Sequence, residues 1–297
     1  MRHRRSLREA LLAYALVLPS FVVFGVFVFY PFAKNIEIPF YARTNCTGLG
    51  TRRACDRTWV GVDQWRDILG SDDFRHSLWV TVRFTLMTVP AGIALGLLLA
   101  VVAHQRLRGV TIYRTIFSST VATSAAVASV IFVSLFGPQT GLWKWTIDGT
   151  PILQHRTWAL PAVAAVATWQ SLGLAFIVMS AGLQALPDDV LEAAAIDGAG
   201  SARRFTRVTL PLMTPTLFFA FVVGSIGAFK TFAEIDVLTP GGGTLDSTKV
   251  LAYAVYEEGF ESGDTTRAAV FAVGLFVCVL VLTLAQLRLE RRVKYVG

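Results

Sequence analysis

Residues 191–211 read LEAAAIDGAGSARRFTRVTLP. The stretch is polar, charged and helix-capable, yet long apolar runs at 158–186 and 211–235 flank it on both sides. Pro187 and the acids Asp188 and Asp189 suit the first turn of a helix, where the backbone dipole favours carboxylates. Leu191, Ala194 and Ala195 share one face at helical spacing, and Gly198 with Gly200 can end or turn the helix. The expectation is a short helix, a turn and a second helix, exposed to water and shaped for a soluble partner.

The flanking runs carry a membrane signature of their own. Of 297 residues, 54% are hydrophobic and 16% charged, with a mean hydropathy of +0.56; soluble domains carry about 25% charged residues. A spanning helix needs about 20 mostly apolar residues. Six windows qualify, approximately 11–33, 78–104, 113–137, 158–186, 211–235 and 267–287. Backbone amides in lipid have no water to bond, so each span closes its own hydrogen bonds as a helix or joins a closed barrel. Uninterrupted apolar runs without ten-residue alternation exclude the barrel. The fold is therefore expected to be all-α, a polytopic membrane protein with six transmembrane helices. Pro161, Gly173 and Gly182 suggest a kinked or broken fourth helix, and Pro90, Gly92 and Gly96 are compatible with a kink in the second.

Basic residues orient these spans. Arg2, Arg4, Arg5 and Arg8 precede the first; Arg106, Arg108 and Arg114 lie between the second and third; Arg203, Arg204 and Arg207 lie in the polar stretch; Arg288, Arg291, Arg292 and Lys294 follow the last. With six spans all four groups fall on one side, which the positive-inside rule makes cytoplasmic. The opposite segments near 138–157 and 236–266 carry only Lys144, Arg156 and Lys249. Segment 34–77 is also basic, but long loops count for little in this rule. The expected organisation is a cytoplasmic basic terminus (1–10), a transmembrane region (11–287) with an extracytoplasmic loop at 34–77 and a cytoplasmic loop at 187–210, and a cytoplasmic basic tail (288–297).

Several function classes fall away. The net charge of +7 is spread over membrane flanks rather than gathered on one face, which argues against nucleic-acid binding. The first apolar run exceeds the 7–15 residues of a signal-peptide core and lacks a clear cleavage site, so it is expected to remain as an anchor. The four histidines, His3, His76, His104 and His155, are scattered, and no Cys, Asp or Glu stands at metal-ligand spacing from them. No phosphate loop of the G-x-x-x-x-G-K-[ST] kind is present, so the chain is not expected to hydrolyse ATP; Gly241 to Gly243 lack the following lysine and read as a turn. Cys46 and Cys55 lie nine positions apart in the extracytoplasmic loop, either as a disulfide or as two thiols, because spacing does not fix geometry. Cys278 reads as a small packing residue.

Written by position, Glu192, Ala193, Ala194, three residues, Gly198, nine residues, Val208, one residue, Leu210 and Pro211 resemble the EAA loop of importer-type ABC transporter permeases, with Val208 standing where that family usually has Ile. WVGVDQWRDIL at 59–69 looks like the family's FVGLDNYxxLL element, and LTPGGGTLDSTKVLAYAVYEEGF at 238–260 looks like its LTxGGPxxxTxxLxxYxYxxAF element. These point to the carbohydrate-uptake subfamily. LEAAAIDGAGSARRF, FKTFAEID at 229–236 and RLERRVKY at 288–295 look closest to the UgpA-type permeases for glycerol-3-phosphate and glycerophosphodiesters, although permeases for neutral disaccharides share most of them.

The resemblance implies a transport subunit of the bacterial inner membrane, with an importer-type ABC permease fold and no bound cofactor. Its implied partners are a second homologous permease, two copies of a cytoplasmic ATPase that use ATP and Mg, and an extracytoplasmic solute-binding protein. By analogy the short helix docks on the ATPase, with Glu192, Ala193, Ala194, Asp197, Gly198 and Arg203 as coupling residues. For the solute path, polar groups within a membrane are functional candidates by default. Trp169 and Gln170 in the fourth span offer stacking and hydrogen bonding to a polyol, with Trp169 also reading as a packing aromatic. Lys230 and Glu234 lie one turn apart in the fifth, beside Phe229, Phe232 and Asp236; they form either an intrahelical ion pair or a site where Lys230 meets a substrate phosphate. Tyr253, Tyr256, Glu257 and Glu258 belong to the outer segment. A membrane enzyme built on Lys230, Glu234 and Asp236 is the competing class, but the other spans supply almost no titratable groups.

Overall fold

The computed structural model describes residues 7–47, 54–104, 109–136 and 145–290. Residues 1–6 and 291–297, with most of the basic termini, lie outside them. Helix α1 (Leu7–Phe24) runs through a wide turn at Gly25–Phe29 into α2 (Tyr30–Glu37), and together they supply the first apolar span, Tyr14–Phe40. Its side chains pack little on the rest of the chain: Phe21 is 69% exposed and Phe27 74%. Toward its C-terminal end, Phe32 meets Phe276 edge-on with ring centroids 4.8 Å apart.

Two hairpins depart from the all-helical expectation. Strand β1 (Tyr41–Thr47) pairs antiparallel with β2 (Ala54–Trp59), with Tyr41 opposite Trp59 and a bulge between Thr44 and Thr47. Stacking of Phe40 on Trp59 at 5.4 Å anchors its base to the end of the first span. Helix α3 (Asp63–Leu69) then leads into α4 (Asp72–His104), the second span. The third span is not one rod: α5 (Val110–Ser119) and α6 (Ala125–Phe136) belong to segments bent by 104° at Thr123–Ser124. A small hairpin of β3 (Thr146–Ile147) and β4 (Thr150–Pro151) precedes α7 (Ala159–Gln184), the fourth span.

Beyond α7 come α8 (Asp188–Ile196), α9 (Ser201–Arg204) and α10 (Leu210–Leu212), then α11 (Thr214–Phe229). The segment Ser201–Leu212 meets α11 at 64°. After a break at Lys230–Phe232 the chain continues as α12 (Ala233–Leu238), α13 (Leu251–Tyr256) and α14 (Thr265–Glu290), the last span. By length and composition the described residues hold four continuous spans, or six when each bent pair counts as one.

The breaks therefore lie in the third and fifth spans, not in the second and fourth where proline and glycine pointed. Pro161 sits in the first turn of α7, where a missing N–H disrupts nothing. Gly92, Gly96, Gly173 and Gly182 serve helix approach instead of bending. A Cβ on Gly96 would lie 2.7 Å from Ala175 Cβ, so α4 and α7 cross with almost no side chain between them. Lipid offers no hydrophobic drive for helix association, and such small-residue contacts, with interhelical hydrogen bonds, provide it. Thr81 Oγ1 shows the second device: it donates to Ser77 O at 2.7 Å and accepts the Leu251 N–H at 2.8 Å, satisfying the open first turn of α13 from α4.

Two buried clusters run along the α4–α7–α11 bundle. Phe84, Val163, Ile235, Val250 and Tyr253 form one, and Ala100, Phe176, Met179, Leu183 and Met213 form the other, next to the polar loop.

Candidate functional site

The polar stretch folds as its residues dictate. Pro187 caps α8 in an extended conformation, and Asp188 and Asp189 occupy the first turn. At the other end Gly198 takes φ +75°; its N–H donates to Ala195 O at 3.1 Å and the Ala199 N–H donates to Ala194 O at 3.1 Å. These two bonds close a Schellman motif, which requires a left-handed residue at Gly198. The chain then reverses into α9.

Leu191 and Ala194 are half-buried, while Glu192, Ala193, Ala195, Asp197, Gly198 and Arg203 are exposed. Among the described residues neither Glu192 nor Arg203 has an ion-pair partner. Ile196 was missed by the sequence reading: it is 87% exposed at the tip of α8, and Val190 is 41% exposed. Its signal was available, since Ile196 lies off the face defined by Leu191 and Ala194. The exposed surface of α8 is thus small-residue, with an apolar knob at Ile196 and a carboxylate at Glu192. Behind the loop, a Cβ on Gly182 would lie 2.6 Å from Thr216 Cγ2, so the end of α7 is seated directly on the start of α11. The chain links α8 to α7 through residues 185–187 and to α11 through α9 and α10.

A cavity of about 330 Å³ opens between α4, α7 and α11. Its wall is mostly apolar, with Thr88, Gln170, Ser171, Thr231 and Glu234 as polar groups. With its amide nitrogen facing the carboxylate, Gln170 Nε2 donates to Glu234 Oε1 at 3.2 Å and Gln170 Oε1 accepts the Ala125 N–H at 3.1 Å. Ala125 opens α6 immediately after the break in the third span, and Glu234 is the second residue of α12, beyond the break at Lys230–Phe232. One side chain of α7 thereby takes up an open N–H at the first break, which lipid could not, and meets a side chain just beyond the second.

The sequence-derived path residues are only partly brought together. Gln170 and Glu234 share the cavity. Trp169 is instead a packing aromatic, edge-on to Phe132 with centroids 5.2 Å apart. Phe229 is buried, and Phe232 lies against Tyr253 and Tyr256 at 6.0 and 4.9 Å. Lys230 ends α11, is exposed, and forms no ion pair with Glu234. The intrahelical pair fails because Lys230 closes one helix and Glu234 begins another. Asp236 is half-buried on α12 and outside the cavity wall.

The segment between α12 and α14 is fixed by charge and by turns. Lys249 pairs with Glu257, while Arg267 bridges Asp73 at 2.7 Å and Glu258 at 3.4 Å, joining the starts of α4 and α14. Burial alone would lower the Lys249 pKa, but its hydrogen bond to Glu257 and the nearby carboxylates hold it above the usual lysine value. Burial pushes the Glu258 carboxyl up, against the opposing pull of Arg267. Gly241, Gly242 and Gly243 all have positive φ, and the Gly241 N–H donates to the Tyr253 hydroxyl at 3.0 Å. They build a tight turn, as their composition suggested. Among the described residues no group of three or more His, Cys, Asp or Glu is placed to hold a metal ion.

A helical, multi-pass membrane protein with broken spans, an exposed loop helix between two spans and a cavity among its apolar helices is the class these features define. The family model described as "binding-protein-dependent transport system inner membrane component" matches residues 92–295, and the chain belongs to that family. It is 35% identical over 292 residues to the sn-glycerol-3-phosphate transport system permease protein UgpA of Brucella abortus biovar 1 (strain 9-941), covering 96% of this chain and 97% of that one. The protein of the same name from Escherichia coli (strain UTI89 / UPEC) is 31% identical over 303 residues, covering 98% of both chains. Among solved structures, a bacterial alginate ABC transporter in complex with alginate pentasaccharide-bound periplasmic protein superposes with a TM-score of 0.82 at 20% identity, covering both chains fully. The last likeness establishes the fold. The chain is a permease subunit of an ABC importer and a multi-pass membrane protein, not an enzyme.

Proposed function

We propose that the importer takes up glycerol-3-phosphate or glycerophosphodiesters. The observation that carries this reading is the near full-length similarity, at 35% identity, to permeases named for sn-glycerol-3-phosphate transport. Two features of the chain agree with it. Lys230 is an exposed cation beside the break between α11 and α12, without an ion-pair partner among the described residues, and a point charge suits a phosphate. Gln170 and Glu234, in the adjacent cavity, offer a donor and an acceptor to hydroxyl groups.

In this reading both termini and the 187–210 loop are cytoplasmic, and segment 34–77 with the Lys249–Glu258 region faces outward. The chain pairs with a homologous permease. Two ATPase subunits are the users of ATP and Mg, and one of them docks on α8 through Glu192, Ala193, Ala194, Asp197, Gly198, Arg203 and Ile196. A binding protein delivers solute to the outer face, and alternating access follows when ATPase closure moves α8 and hence α7 and α11.

The test is uptake by cells carrying the whole operon, comparing labelled glycerol-3-phosphate, a glycerophosphodiester and a neutral disaccharide, with Gly198→Asp as the uncoupled control. Preference for the phosphorylated solutes, lost in the control, is expected. Preference for the disaccharide would retain the importer and overturn the phosphate assignment.

A further inference from the structure

The hairpin of β1 and β2 is poorly supported for a structure outside the bilayer. An isolated two-stranded hairpin is marginally stable in water, and these strands make their main contacts with each other. Its base is held by Phe40, Tyr41 and Trp59. Further along, the register pairs Arg43 with Arg57 and Thr44 with Asp56, and a covalent staple toward the tip would stabilise so small a hairpin.

The register supplies a candidate. Thr44 is opposite Asp56 and Thr47 is opposite Ala54, so the bulge sets Asn45 and Cys46 against Cys55. The side chains of Cys46 and Cys55 lie outside the described residues, but the backbone register brackets both positions between the Thr44–Asp56 and Thr47–Ala54 pairs. Directly opposed residues hold their Cβ atoms about 4.5–5.5 Å apart, against about 3.5–4.5 Å in a disulfide. A bulge bends its strand and increases the local twist, which gives the freedom to close that difference.

We propose that Cys46 and Cys55 form a disulfide that staples the far end of the hairpin and closes the 46–55 loop. The inference rests on the outward orientation of segment 34–77 given above. Two S–H bonds break and one S–S bond forms. The two electrons and two protons pass to a disulfide-bearing protein oxidant of the extracytoplasmic space, which becomes a dithiol.

Trypsin sites make the bond directly readable, because Arg43, Arg52, Arg53 and Arg57 bracket the two cysteines on separate peptides, 44–52 and 54–57. Intact cells are treated with a membrane-impermeant maleimide, the full-length protein is purified and digested without reductant, and the peptides are weighed. The expected product is peptide 44–52 joined to 54–57 and carrying no maleimide, separating after dithiothreitol. In Cys55→Ser the joined species disappears and Cys46 becomes labelled from outside. Labelling of both cysteines in the wild type without reduction would overturn the disulfide and leave the orientation intact. Labelling only by a permeant maleimide would overturn the disulfide together with the orientation on which it rests.

Discussion

Gly198→Val is expected to abolish most transport while leaving the protein inserted and abundant. Gly198 sits at φ +75° with nothing within 4 Å of a built Cβ, so the obstacle is backbone conformation and not space. A left-handed conformation costs a non-glycine residue about 1–2 kcal/mol, more for a β-branched one. That is a shift of about 5- to 30-fold against the turn that ends α8. Loss of the turn releases the bonds from Gly198 to Ala195 and from Ala199 to Ala194, and α8 no longer presents Glu192 and Ile196 at a fixed angle. Uptake by cells and ATPase activity of the purified complex both read the effect. Substrate-stimulated uptake should fall about tenfold or more, with the amount of permease in the membrane unchanged. Full uptake in the variant would mean that the geometry of this turn has no part in coupling.

Gly96→Leu should act on the fold instead. The Cβ alone would lie 2.7 Å from Ala175 Cβ and 3.0 Å from the Ala175 carbonyl carbon, and the rest of the leucine has nowhere to go unless α4 and α7 separate. Overpacking of this kind typically costs about 1–3 kcal/mol, and here it acts on the pair of spans that frame the cavity. Membrane abundance and thermal stability in detergent are expected to drop sharply. Ala94→Leu, on an exposed part of the same helix, places the same side chain where it has room and should leave both close to wild type. Equal loss in the two variants would show that added bulk in α4, and not the crossing with α7, is responsible.

How much of this was legible beforehand differs by element, for physical reasons. The α8 turn was readable because each part of it is local: a proline at the entry, carboxylates in the first turn, glycine at the exit. Span number was readable because apolar length has a direct meaning in a bilayer. The helix breaks were not, because their cause is tertiary. Thr123–Ser124 and Lys230–Phe232 contain neither glycine nor proline; at the first, α7 offers Gln170 to the Ala125 N–H, and at the second the Lys230 and Thr231 N–H groups turn back to Gly227 and Ala228. Conversely, Gly96 and Gly182 announced flexibility and turned out to be contact surfaces, a distinction that depends on which residue of another helix lies opposite.

The same reasoning sorts the solute-path candidates. Residue type and depth selected Trp169, Gln170, Lys230 and Glu234 together, but direction is a three-dimensional property. Gln170 and Glu234 turn into the cavity, whereas Trp169 turns toward Phe132. The hairpin of β1 and β2 was hidden for a different reason: its strands are short and polar, and lack the alternation that marks a half-buried strand.

The central claim is that α8 is the contact through which a cytoplasmic ATPase drives this permease. The direct measurement is site-specific photo-crosslinking in membranes containing the assembled transporter, with the probe at position 196 and, as a control, at position 94 on the exposed side of α4. An adduct with the ATPase subunit from position 196, weakened by Gly198→Val and absent from position 94, is the predicted result. A transporter that remains active yet gives no ATPase adduct from position 196 would contradict the account.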